Sequence, residues 1–328
     1  MTGPGRARVE DVEPPAAVPG EVIVDVERVG ICGTDHEFLT GDMAYLRTGH
    51  ARYPIRIGHE WCGVVSAVGD GVDPAWLGRR VTGDTMLGCG ACPTCTAGRR
   101  YLCPNRCEIG IRGGRPGALA EQLAMPATAL HALPAVGPTA GALVEPGGNS
   151  IRAARAAGAA AGTRIAIWGP GTIGLLAALF ARSAGADVHV VGLTDESLAF
   201  ARTLGLPATL EAPLGSFDAA IDATNGASAP AEALRAVRPG GRLVCVGIAG
   251  EPSRIDTRDL VLDDITVVGL LSGSPGLHAA IDSYAAGTVD PTPLVAATIA
   301  LDQVADALAG GRPDGAGPGP KVHVDPRL

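Results

Sequence analysis

Lysine is all but missing from this chain: Lys321 is its only one among 328 residues, and every other basic side chain is arginine. Schiff-base catalysis, or a Tyr–Lys proton relay, would rest on a residue seven from the C-terminus, which speaks against both. Aromatic residues are scarce too, at 3%, so the cores must be built from the Ala, Val, Leu and Ile that dominate a 46% hydrophobic composition. Positive charge is short: 26 basic against 34 acidic residues leave a formal net charge of −8. That excludes the basic footprint of a nucleic-acid surface. The sequence has neither an apolar run long enough for a membrane span nor the charged, apolar and small-residue order of a signal peptide. The expectation is a cytoplasmic protein with no membrane or nucleic-acid partner.

What is present falls into two styles. The length implies two domains. The N-terminal part is rich in short strands and turns: Glu21–Val29 alternates with period two, Gly63–Gly69 reads as a buried strand, and Ala118–Met125 follows a Gly/Pro turn. Gly41–Ile57 shows no periodicity and is expected to be an irregular loop carrying His50, Arg52 and Tyr53. Beyond Val144-Glu145-Pro146 the composition shifts. Ala153–Gly162 reads as a helix, and then strands 164–168, 187–191, 217–221, 243–247 and 265–271 alternate with helices 172–184, 197–204, 229–237 and 277–286. Such alternation implies parallel βαβ units, an α/β fold with a doubly wound sheet. A last short strand is expected at 322–324.

Three groups of residues carry chemistry. Gly169-Pro170-Gly171-Thr172-Ile173-Gly174 fits G-x-G-x-x-G between an apolar strand and an apolar helix, where the glycines allow a tight turn, approach of a pyrophosphate and close packing. Asp222 ends a later strand and is a further candidate for cofactor contact. At the end of the second strand stands Gly192, where an acidic residue would hold the ribose of NAD. Its absence removes repulsion toward a 2′-phosphate and tilts the reading to NADP, although no Arg adjoins it and Asp195 follows. Cys89, Cys92, Cys95 and Cys103 have the spacing of a closed, structural tetrahedral zinc site. Finally, Cys32, Thr34 and Asp35 cluster at the end of the first strand, and His59-Glu60 opens the next. Cys32, His59 and either Glu60 or Glu145 could supply the three ligands of a catalytic zinc with one open position.

In order, Gly-Ile-Cys-Gly-Thr-Asp, Gly-His-Glu, the four-cysteine set, Val-Glu-Pro and Gly-x-Gly-x-x-Gly resemble the zinc-dependent medium-chain dehydrogenases over nearly the whole chain. The resemblance implies a GroES-like β-rich catalytic domain over 1–148 with a zinc lobe near 88–107, a Rossmann domain over 149–276, and a return segment 277–328 that completes the first domain. It implies two zinc ions per chain, with Asp35 orienting His59 and Thr34 taking the substrate proton. His36 would pass that proton outward, although relay histidines usually stand at the place of Glu37. Asn149, one turn past Glu145, matches a position that meets substrate hydroxyls in sugar-oxidising members. The short first strand usual in these enzymes has no counterpart after Met1, so the expectation is a late start or a sheet lacking one edge. The implied activity is hydride transfer between a secondary alcohol of polyol, sugar or cyclitol type and NAD(P), in a homodimer or homotetramer paired through 265–271. A biosynthetic dehydrogenase of an aminocyclitol or decorated sugar, and a non-catalytic nucleotide-binding protein, are the alternatives.

Overall fold

Val22, Val24 and Val26 alternate with polar residues, and this pattern makes Glu21–Gly30 the strand on which the first sheet is built. A bulge between Val26 and Arg28 resets the alternation, so that Val29 also turns inward. All four valines are fully buried against Trp61, Leu123 and Met125. The computed structural model describes all 328 residues, divided into a unit of Met1–Glu145 with Asp290–Leu328 and a unit of Pro146–Val289.

In the first unit the strands follow the order 295–299, 321–324, 21–30, 60–68, 80–83 and 130–132, with Gln122–Pro126 also paired to Glu21–Asp25. Gly30 lies opposite Glu60 on one side and His323 on the other, which fixes the end of the sheet where chemistry-bearing residues gather. The supposed loop 41–57 contains a short helix, Ala44–Arg47. The strand Val295–Ile299, parallel to Lys321–Val324, carried no clear sequence signal.

In the second unit six parallel strands run in the order 208–209, 187–191, 164–168, 217–222, 237–245 and 266–269. Here the boundaries differ from the sequence reading. The helix expected over 153–162 is Val144–Ala156, and it includes Gly147 and Gly148 despite their poor helix propensity. Close packing explains them: a Cβ on Gly147 would overlap the Tyr284 hydroxyl, and one on Gly148 would come within 2.5 Å of Gly273 O. The strand expected at 243–247 begins at Val237 and runs through Pro239-Gly240-Gly241, with Gly240 at φ +77°. The unit extends to Val289, past the expected limit at 276, because helix Leu277–Ala285 stacks Tyr284 on Phe180 at 5.9 Å.

Candidate active site

Cys32 leaves the central strand and caps helix Gly33–Thr40. Three residues later, in that first turn, Asp35 is fully buried. Its carboxylate accepts from the Cys32 N–H at 2.9 Å and the Gly58 N–H at 3.3 Å, tying together the two backbone segments that present Cys32 and His59. Asp35 Oδ1 stands 3.9 Å from His59 Nδ1, beyond hydrogen-bond range, so its main grip is on the backbone rather than on the imidazole. Burial raises the Asp35 pKa, and the neighbouring His59 opposes that rise.

Cys32 Sγ, a His59 ring nitrogen and a Glu60 carboxylate oxygen lie within 4.8 Å of one another. His59 is 5% exposed, and its Nδ1 is buried with no hydrogen-bond partner. Burial alone would hold the imidazole neutral, yet Cys32, Asp35 and Glu145 together push its pKa well above the ordinary value. A thiol, an imidazole and a carboxylate around a point that favours positive charge fit a zinc ion with an open position. Of the two carboxylates weighed from the sequence, Glu60 belongs to this close set, while Glu145 acts on His59 through its charge.

One member of the centre escaped the sequence reading. Lys321, set aside for its place near the C-terminus, is 4% exposed and donates to Glu60 Oε2 at 2.7 Å and to the Ile31 carbonyl at 2.7 Å. Burial works against its charge, but Glu60 and Cys32 outweigh burial and raise its pKa. The strand pattern pointed the other way: the alternation of Lys321-Val322-His323-Val324 puts the valines on the core face, and only the fold shows that the opposite face, with Lys321 and His323, is covered as well. Gly30 is required here, since a Cβ would overlap the Glu60 carboxylate. On the helix, Thr34 is partly exposed with its hydroxyl unbonded, and His36 is exposed.

The second cysteine set closes on itself. Cys89, Cys92, Cys95 and Cys103 bring their sulfurs within 4.8 Å of one another, with none in a disulfide. Backbone N–H groups of Ala91 and Cys92 lower the Cys89 pKa to about 6, whereas burial pushes Cys95 up to about 11. Four thiols converging without a bridge, one already favoured as thiolate, fit a structural zinc. Cys107 lies outside the set.

In the second unit, Gly169 follows the Arg164–Trp168 strand at φ +97°, where a Cβ would meet Ala223 O at 2.9 Å. Gly171 caps helix Thr172–Ser183 without a side-chain bond, which leaves the N–H groups of Thr172 and Ile173 free for a phosphate. Gly174 packs on the Gly169 carbonyl. Gly192 ends its strand in a tight place: a Cβ would come 2.8 Å from Leu198 Cδ2 and 3.1 Å from Pro170 Cγ. Nearby, Asp195 is held by Arg202 at 2.8 Å. Asp222 is 2% exposed, and its carboxylate accepts from the Thr224 N–H and hydroxyl at 3.0 and 2.8 Å. Through that one oxygen it braces the turn beside Gly169. Glu145 and Asn149 stand one turn apart on the Val144–Ala156 helix.

No helix is long and apolar enough to cross a membrane. Residues 18–135 match the family described as alcohol dehydrogenase GroES-like domain, and residues 172–286 that described as zinc-binding dehydrogenase. An L-threonine 3-dehydrogenase from Saccharopolyspora erythraea is 35% identical over 279 residues, 80% of each chain. Among solved structures, a Sinorhizobium meliloti putative zinc-binding dehydrogenase bound to NADP is 31% identical, with a TM-score of 0.88 over 98% of this chain and 96% of that one. An Escherichia coli CFT073 alcohol dehydrogenase complexed with NADH is 27% identical, with a TM-score of 0.88 over 99% and 97%. The β-rich unit with its two ligand clusters, the parallel-sheet unit with its glycine turn and these matches agree: the chain belongs to the zinc-dependent medium-chain alcohol dehydrogenases, as an oxidoreductase of the zinc-binding dehydrogenase family.

Proposed function

We propose that this enzyme transfers hydride between a secondary alcohol of polyol, sugar or cyclitol type and NAD(P), with NADP preferred. The observation that carries the reading is the convergence of Cys32, His59 and Glu60, with Cys32 capping the helix whose first turn carries the unpaired Thr34 hydroxyl. Zinc held by these three residues would supply a Lewis acid that lowers the pKa of the substrate hydroxyl. Asp35 fixes the backbone of Cys32 and Gly58, so two ligands keep their separation through turnover. Thr34 Oγ1, free of other bonds, accepts the substrate proton, and exposed His36 on the same helix hands it to water. The free N–H groups of Thr172 and Ile173 bind the dinucleotide pyrophosphate. NADP is favoured by Gly192: it offers no carboxylate to repel a 2′-phosphate, and Asp195 is neutralised by Arg202. Glu145 and Asn149 are assigned to substrate hydroxyls.

We also assign subunit pairing to the edge strand Thr266–Gly269, beside which Val261, Leu262 and Leu271 are 80%, 81% and 42% exposed. Light scattering should return a dimer or tetramer mass.

The functional test is reduced-nucleotide fluorescence with a panel of polyols, sugars, cyclitols, aminocyclitols and L-threonine, each with both cofactors. Turnover that vanishes in Cys32→Ser, while that variant still binds NADPH, is the expected result. Undiminished turnover in Cys32→Ser would overturn the mechanism. Nucleotide binding without turnover on any substrate would favour a non-catalytic role.

A further inference from the structure

We propose that Tyr45, Arg106 and Glu108 are positioning residues that couple the four-cysteine lobe to the segment joining the Cys32 helix to His59. Loading of the lobe then steadies that segment, and the segment in turn strengthens the lobe's hold on zinc. The inference rests on the assignment of zinc to the four cysteines and not on which alcohol reacts.

The three side chains close a triangle. Arg106 Nε donates to Glu108 Oε1 at 2.8 Å, the Tyr45 hydroxyl donates to the same oxygen at 3.1 Å, and Arg106 Nη2 donates to the Tyr45 oxygen at 3.1 Å. The Arg106 and Glu108 side chains are 12% and 3% exposed, so water screens these contacts little. An ion pair that served the lobe alone would need only Arg106 and Glu108. The third member comes from a different segment, 63 residues before Glu108.

At the lobe end, the Cys103 carbonyl accepts from the Arg106 N–H at 3.2 Å and from its Nη1 at 3.4 Å, so one residue of the cysteine set is bonded directly to the triangle. At the other end, Tyr45 belongs to helix Ala44–Arg47, which has four residues, none of them buried, and no side-chain cap. A helix that short does not hold itself in water. Tyr45 anchors it: Arg112 also lies over its ring at 5.3 Å, and its carbonyl accepts from the Ala51 N–H at 3.0 Å. The chain leaving the lobe bonds the segment again where the Gly113 N–H donates to the His50 carbonyl at 3.0 Å. It also reaches the centre's own backbone, since the Ile109 N–H donates to the Thr85 carbonyl at 2.9 Å and the Thr85 hydroxyl to the His59 carbonyl at 3.3 Å. Coupling of two sites through such a shared network is reciprocal, each strengthening the other by the same factor.

The test uses the full-length chain carrying Cys32→Ser, in which the four-cysteine set supplies the thiolate-to-cobalt absorption of added Co²⁺, and zinc affinity is read by displacement of that Co²⁺. Tyr45→Phe in this background should weaken the lobe's zinc affinity about tenfold, an ordinary strength for coupling between sites. Tyr53→Phe removes a hydroxyl of the same segment that bonds the Phe38 carbonyl instead, and should leave the affinity unchanged. In the reverse direction, emptying the lobe by Cys95→Ser should speed amide exchange at Leu46, Thr48 and Ala51, all bonded within the segment, at least about fivefold. In Tyr45→Phe the same change should have no further effect, while amides of the 60–68 strand stay unchanged throughout and report an intact fold. Unchanged zinc affinity in Tyr45→Phe, or exchange at the three amides that ignores the state of the lobe, would overturn the proposal. So would an equal loss of affinity in Tyr53→Phe or faster exchange in the 60–68 strand, either of which marks general loosening. No cobalt absorption in Cys32→Ser itself would overturn the zinc assignment, and the coupling with it.

Discussion

Replacing Lys321 by Met gives the most direct measure of how the candidate centre is held. The change keeps most of the aliphatic stem but removes the ammonium that donates to Glu60 Oε2 and to the Ile31 carbonyl, both at 2.7 Å. Glu60 and Lys321 side chains are 2% and 4% exposed, so water can do little to screen the orphaned carboxylate. Removing one partner of a buried ion pair costs about 3–5 kcal/mol, because the remaining charge loses its compensation. At roughly 2–4 °C per kcal/mol for a domain of this class, metal-free Lys321→Met should melt about 6–20 °C below the metal-free parent. Scanning calorimetry that resolves the unfolding of the first unit is the assay. Zinc should narrow the gap, since a cation beside Cys32 and His59 gives Glu60 a new partner. Adding Glu60→Gln to Lys321→Met should recover at least half of the loss, because the buried charge is then gone. A metal-free Lys321→Met protein within about 0.5 kcal/mol of the parent, the ordinary scatter for surface changes, would refute the reasoning.

Three other outcomes are expected. Cys95→Ser should lower the bound zinc by one ion per chain and destabilise the segment around residues 89–103, while metal analysis still finds the Cys32 site loaded; loss of zinc from both clusters in that variant would show that they are not independent. Gly192→Asp should shift cofactor preference from NADP toward NAD by at least tenfold in Kd, with some loss of stability because its Cβ comes within 2.8 Å of Leu198; an unchanged preference would show that another residue selects. Asp325 is bonded by Arg327 and Arg28, which hold its pKa down at about 2 in the folded chain against an unfolded value near 3.9. Its contribution, about 2 kcal/mol, is therefore fully present above pH 4 and lost as pH falls toward 2. The stability gap between parent and Asp325→Asn should shrink over that range, and a gap independent of pH would contradict the assignment.

How much of this was legible beforehand depended on how local the signal was. Glycine turns, cysteine spacing and the βα alternation are short-range patterns, and the residues at 169–174 and 89–103 fall where those patterns place them. Helix Val144–Ala156 was misjudged because its two glycines answer to Tyr284 and Gly273, over a hundred residues away, rather than to intrinsic propensity. Asp222 stands in the sequence as a strand-end candidate for cofactor contact, and only the folded turn shows that Thr224 bonds one of its carboxylate oxygens.

The sequence by itself determined the ligand types, the nucleotide turn and the two-domain α/β class, because each is a matter of residue identity at fixed spacing. Only the tertiary structure set Glu60 within 4.8 Å of Cys32 and His59, since Glu60 lies on a strand paired with Gly30 while Glu145 lies on the Val144–Ala156 helix, a difference that chain order does not show. It also placed Lys321, from the last strand, on Glu60 in the second, a contact across 261 residues that strand register makes and chain order hides.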